Sequence, residues 1–166
     1  MNFLIQGALF LTLPLYAVEP SQPAPAGTIS VELLRQHLPS KAKSLLQKAQ
    51  RAADRGDHAR AIALLESTLA RYPESAAWTQ SMLGVEYLKT RQFDAAVVAL
   101  EQAVALLPRE AVDHSNLGFA LASTGHFDLA EQELRRAVEL DSGNLRIRAL
   151  LARVRQRNTP LTSGLR

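Results

Sequence analysis

Four histidines, His37, His58, His114 and His126, are the side chains of this 166-residue chain best suited to hold a metal or move a proton near neutral pH. They lie far apart, and no two of them have the three- or four-residue spacing that sets two histidine ligands on one helix face. Each is expected to be a surface or turn residue, and no metal is expected. HExxH, GxSxG and GxxxxGK[ST] patterns are missing, so zinc hydrolysis, a strained serine nucleophile and a phosphate cradle have no sequence support. The chain has no cysteine, which removes disulfides, thiolate zinc sites, a thiol nucleophile and a lipidated cysteine. Glu131 and Glu133 are two apart on a helix and point in different directions, so they read as a solvated face and not as an acid/base pair. Catalysis and cofactors are therefore not expected.

The remaining chemistry is ionic and lies at one end. Residues 142–166 carry six arginines and no acidic residue, whereas residues 61–141 carry 12 Asp/Glu against 6 Lys/Arg. Within "NLRIRALLARVRQR" (Asn144 to Arg157), a turn of ~100° per residue gathers Ile147, Leu150, Leu151 and Val154 into one apolar stripe. Arg146, Arg153 and Arg157 flank it on one side, and Arg148 and Arg155 on the other. Two readings stay open. In one, arginine stems cover apolar edges and their heads meet Glu131, Glu133, Glu139 or Asp141. In the other, the first row captures a carboxylate or an acidic segment. Nucleic acid is disfavoured, because the basic residues are not interleaved with aromatics.

The elements that position these residues follow from composition and repetition. The chain is 47% hydrophobic and 5% aromatic, rich in alanine and leucine, which favours helix. "MLGVEYLKTRQFDAA" (Met82 to Ala96) recurs 34 residues later as "NLGFALASTGHFDLA" (Asn116 to Ala130). Apolar residues recur at spacings of three and four on both sides of "TRQFD", which predicts a helix, a tight turn and a second helix. Asp94 and Asp128 fall at the start of the second helix, where negative charge suits the dipole.

The pattern resembles the tetratricopeptide repeat, a 34-residue helical hairpin. The middle unit supplies Leu83-Gly84, Tyr87, Ala96, Leu100, Ala103 and Pro108, and the next Leu117-Gly118, Leu121, Ala130, Leu134 and Ala137. A diverged earlier unit supplies Ala49, Ala52, "GDHARAI", Leu65 and Pro73. Gly84 and Gly118 are expected to let paired helices approach, with Ala96 and Ala130 opposite and Leu100 and Leu134 filling the space between. Gln80 and His114 stand where the usual pattern has tryptophan, and Ser142 replaces the closing proline. The resemblance implies an all-α, right-handed superhelical α-solenoid of antiparallel helix pairs. Repeats are expected at about 42–75, 77–110 and 111–144, with a capping helix at 144–158 and a short helix at Ser30–Leu38 over the other end.

The resemblance also implies a concave groove lined by the first helix of each unit. Carried onto this chain, the matching positions are Lys43 and Gln50, then Trp78, Ser81, Met82, Val85 and Lys89, then Ser115, Asn116, Phe119 and Ser123, continued by Arg146, Arg153 and Arg157. Packing on the Tyr72–Pro73 corner is the preferred reading of Trp78, and a local or water bond is the other reading of Asn116. Val85, Leu88 and Phe119 make it more apolar than a charge clamp. The implied partner is a protein or peptide with acidic or carboxylate character.

Outside the repeats, Phe3 to Val18 is uncharged, too short and interrupted for a bilayer span of about 20 residues, and fits a signal peptide over 1–17. An uncleaved membrane anchor is the alternative. Residues 18–29 read as a proline-rich linker, 30–158 as the repeat domain and 159–166 as a disordered tail. Together these features point to a non-enzymatic adaptor or assembly factor exported to a bacterial periplasm. Self-association, and service as accessory subunit of a separate enzyme, are the other readings.

Overall fold

The computed structural model describes residues 37–158. The expected leader, linker and tail, and nearly all of the expected Ser30–Leu38 helix, lie outside these residues. Seven α-helices follow one another: α1 (Ser40–Asp54), α2 (His58–Arg71), α3 (Ala76–Lys89), α4 (Phe93–Leu106), α5 (Ala111–Ser123), α6 (Phe127–Leu140) and α7 (Leu145–Asn158). A 3-10 turn at Pro73–Ser75 joins α2 to α3. No strand occurs among the described residues.

Turn chemistry sets the pairing α1/α2, α3/α4 and α5/α6. Each first helix ends on a residue with positive φ: Gly56 (78°), Arg91 (61°) and Gly125 (88°). The left-handed conformation stops the helix and reverses the chain, and it costs an arginine more than a glycine. The Thr90 and Thr124 hydroxyls donate back to the last carbonyls of α3 and α5, at 2.9 Å to Glu86 O and 3.0 Å to Leu121 O. Asp57 caps α2 by accepting from the Arg60 amide at 3.2 Å. Asp94 and Asp128 occupy the first turns of α4 and α6, as the sequence predicts. Asn144 caps α7 through bonds from the Arg146 and Ile147 amides.

Packing runs in series. Leu65, Leu100 and Leu134, one from each second helix, are fully buried, and Ala96 and Ala130 are fully buried beside them. A methyl added at Gly84 would lie 2.6 Å from Leu100 Cδ2, and one at Gly118 2.6 Å from Leu134 Cγ. The two glycines therefore permit the close approach that their spacing implies. One apolar cluster extends from Ala96 and Leu100 through Leu117, Leu121 and Leu134 to Ile147, Leu151 and Val154. Another joins Ala49, Leu65, Leu83 and Ala99, and Tyr87 packs against both. Each pair thus finishes the core of its neighbour.

Polar contacts lock the units together. Glu86 on α3 is buried, 2.7 Å from His58 Nδ1 on α2 and 2.8 Å from Lys89 Nζ. The Tyr87 hydroxyl donates to Glu66 on α2 at 2.9 Å. Glu131 on α6 receives Arg155 of α7 at 2.9 Å and Arg135 at 2.6 Å. Asn158 of α7 donates to Asp128 and Glu131. Glu131 therefore helps to hold α7 in place, which corrects its reading as a simply solvated residue. No helix among the described residues is long and apolar enough to cross a membrane.

Candidate partner groove

The first helices α3 and α5, and likewise α5 and α7, touch one another directly; the second helices are in no comparable contact. Side chains on the first helices therefore line the inner side of the curve. With a 34-residue period, equivalent residues form rows that cross the helices. One row is Trp78, Val112 and Arg146; a second is Val85, Phe119 and Arg153; a third is Lys89, Ser123 and Arg157. Each row ends in an arginine on α7.

Phe119 is 41% exposed and packs edge-on to Phe93, with ring centroids 6.4 Å apart and planes at 81°. Phe93 begins α4 and fixes the Phe119 ring from the turn. Val85 and Trp78 are half-buried in the same rows. Val112 is 60% exposed at the Trp78 position, and residue-by-residue matching overlooks it. Its only signal in the sequence is the 34-residue offset from Trp78. Asn116 and Ser115 are half-buried, and the Asn116 amide has no hydrogen bond to the described residues.

Several other expected groove residues make contacts within the protein. Ser81 donates its hydroxyl to Asp113 Oδ1 at 2.6 Å and so ties α3 to α5. Asp113 is only 3% exposed; burial pushes its carboxyl above the usual range, while the Ser81 bond and His114 pull it back. Lys89 is held by Glu86, and Gln50 donates to Asp54 along α1 at 2.7 Å. Met82 is half-buried and packs against the core, and Lys43 is half-buried on α1. Of these, Ser81 bonds one first helix to the next and Met82 joins the core, whereas Lys89 and Gln50 are held within their own helices.

The missing tryptophans are replaced by polar pairs. Gln80 donates to Gln102 of α4 at 2.5 Å, and His114 Nδ1 lies 2.7 Å from Glu133 of α6. His114 Nε2 lies 3.1 Å from the Pro108 carbonyl. His114 is 8% exposed, so the expectation of a surface or turn residue fails for it, and Glu133 is its partner and not a solvated acid. Pro108 itself is exposed and acts through its carbonyl, which corrects its assignment as a packing residue. Among the described residues no cluster of His, Asp and Glu is arranged to hold a metal.

On α7 the two arginine flanks separate as the stripe predicts. Ile147, Leu151 and Val154 are buried, and Leu150 is half-buried. Arg155 on the second flank meets Glu131. Glu139 is taken by Arg136, and Asp141 by Asn144. Arg146, Arg153 and Arg157 are exposed, with no carboxylate partner among the described residues. Three guanidinium groups without a carboxylate partner among the described residues thus lie on the first-helix side.

Comparison with known proteins agrees with this geometry. One tetratricopeptide-repeat family model matches residues 87–154 and another matches 46–79, so the two together take up more than half of the chain. No curated protein sequence matches the chain. Among solved structures, the first TPR of Spaghetti (RPAP3), bound to an HSP90 peptide SRMEEVD, is 21% identical with a TM-score of 0.68. That match covers 73% of this chain and 96% of that one. MamA 41-end from Desulfovibrio magneticus RS-1 is 25% identical with a TM-score of 0.68, covering 76% and 74%. The second TPR domain of human RPAP3, in complex with an HSP70 peptide, is 21% identical with a TM-score of 0.65, covering 69% and 95%. The sequence repeat, the nested helix pairs and these matches lead to one assignment: the chain belongs to the tetratricopeptide-repeat family and forms an all-α solenoid of several repeats.

Proposed function

We propose that this protein is a non-enzymatic adaptor that holds an extended, acidic segment of another protein across α3, α5 and α7. The observation that carries this reading is a set of three arginines with no carboxylate partner among the described residues: Arg146 continues the row of Trp78 and Val112, Arg153 that of Val85 and Phe119, and Arg157 that of Lys89 and Ser123. Apolar side chains supply contact area, the Asn116 amide can bond a peptide backbone, and the arginines supply charge-assisted bonds to carboxylates. Similar solved domains bound to peptides support a peptide-holding role. Export to a bacterial periplasm belongs to the same proposal and rests on the uncharged Phe3–Val18 segment.

A peptide array graded in acidic and apolar content, probed with the full chain, tests the groove. Acidic peptides carrying one or two apolar anchors should bind, and binding should weaken as salt rises. Replacing Arg146, Arg153 and Arg157 together with glutamine should lower affinity at least about tenfold while the melting temperature hardly moves, since exposed, unpaired charges add little to stability. A large loss of stability with unchanged binding would make the arginines structural and refute the reading. Sequencing the N-terminus of the protein recovered from an envelope fraction tests export: an intact Met1 would reject cleavage of the leader.

A further inference from the structure

α7 is a first helix whose outer side has no second helix on it among the described residues, and the seat for one is already shaped. Between α6 and α7 runs a groove of about 470 Å³ with Val138, Leu151 and Ala152 on its floor and Arg135, Arg148 and Arg155 along its walls. Moved back by the 34-residue period, these positions become Val104, Leu117 and Gly118 on the floor, with His114 and Leu121 on the α5 wall. That earlier seat is filled by α6. Leu134 and the Ala130 carbonyl lie over Gly118, and Leu117 and Leu121 share the core cluster with Leu134. The empty seat and the filled one are thus the same surface in successive repeats.

The chemistry of the wall changes along the series. At one position Gln80 meets Gln102 of its second helix, and His114 meets Glu133 of the next. Arg148 holds that position on α7 and has no carboxylate partner among the described residues. The floor changes as well, since Ala152 stands where Gly84 and Gly118 receive leucines. We infer that the α6/α7 groove binds an acidic amphipathic helix of another protein, which completes a fourth helix pair by docking a carboxylate on Arg148. The residue over Ala152 must be smaller than leucine, because the extra methyl removes the space that glycine leaves.

Charge selects this occupant over the alternatives. Of the groove's charges, Arg135 and Arg155 are held by Glu131 and Glu139 by Arg136, so Arg148 is its one charged side chain without an ionic partner among the described residues, and that charge is positive. A second copy stacked head to tail would offer α1, whose Lys41, Lys43, Lys48 and Arg51 outnumber Asp54, and would set basic on basic. Residues 159–166 contain no acidic residue and include Pro160 and Gly164. The surface is distinct from the inner groove, so this inference does not depend on the adaptor reading.

The test uses the full chain and a labelled 14-residue peptide copying Phe127–Leu140, with Leu134→Ala, Arg135→Glu and Arg136→Glu, stapled on its outer face. A control peptide keeps both arginines and carries Glu131→Gln, Glu133→Gln and Glu139→Gln. Fluorescence anisotropy should show the acidic peptide binding and the control binding at least about tenfold more weakly. In the protein, Arg148→Glu and Ala152→Trp should each reduce binding about tenfold or more, and Arg71→Glu on α2 should not. Circular dichroism checks that each variant folds. Three results would overturn the inference: equal binding of both peptides, no binding at about 1 mM, or indifference to Arg148→Glu and Ala152→Trp. A dimer in sedimentation that Ala152→Trp abolishes would assign the seat to a second copy instead.

Discussion

Adding one methyl group at Gly84 should destabilise the protein, and removing Leu100 should reverse the sign of that effect. The added carbon would lie 2.6 Å from Leu100 Cδ2 and 3.2 Å from Cδ1, against a comfortable carbon separation of about 3.5–4.0 Å. Leu100 is fully buried, so it can yield only by shifting against the packed core. Overpacking of this kind costs about 1–3 kcal/mol, and alanine regains about 1 kcal/mol over glycine in a helix, so Gly84→Ala should lose up to about 2 kcal/mol. Leu100→Ala alone should cost about 2–5 kcal/mol. The three nearest atoms around the new methyl all belong to the Leu100 side chain and vanish in that variant. In the Leu100→Ala background, Gly84→Ala should therefore stabilise by about 1 kcal/mol, a coupling of about 1–3 kcal/mol. At Gly118 the Ala130 carbonyl oxygen, 3.1 Å from the added carbon, persists after Leu134→Ala, so coupling there should be smaller. Urea unfolding followed by helical circular dichroism and by the fluorescence of the single Trp78 measures all the variants. The two probes must coincide, because repeat arrays can unfold in parts. Equal losses from Gly84→Ala in both backgrounds would refute the view that this glycine serves the approach of α3 to Leu100.

Three further outcomes follow from single residues. Burial raises Asp113, so its protonated form favours the fold; that contribution is present in acid and is lost as pH rises through the folded pKa. Asp113→Asn should therefore gain melting temperature relative to the parent as pH rises from about 4 towards 7, and parallel curves would reject this. Glu131 is held below its usual range by Asn158, then Arg155 and Arg135, so its contribution is present above pH 4.5 and fades as pH falls through the lowered value. Glu131→Gln should speed hydrogen exchange in α7 at neutral pH, with a difference that shrinks in acid; protection that is equal at neutral pH would count against it. Arg91 occupies the left-handed position that Gly56 and Gly125 fill in the other pairs, so Arg91→Gly should stabilise by about 0.5 kcal/mol after the added freedom of the unfolded chain is subtracted. A lower melting temperature in that variant would show that the Arg91 side chain contributes more than its backbone strain costs.

The sequence by itself determined the helices, their pairing and their order, because a 34-residue period with small residues at fixed places has one packing solution: each pair must be buried by the next. It also separated the α7 arginines into two flanks, since helical angle alone decides that. Only the tertiary structure decided which expected groove residues remain available. Ser81 spends its hydroxyl on Asp113 and Lys89 its charge on Glu86, partners 32 and 3 residues away that no period announces. His114 likewise meets Glu133 one turn away from where the Gln80–Gln102 pair would place it. The period encodes backbone placement and apolar contact, which repeat with the units. Polar side chains choose partners by reach and local burial, and those differ at every junction.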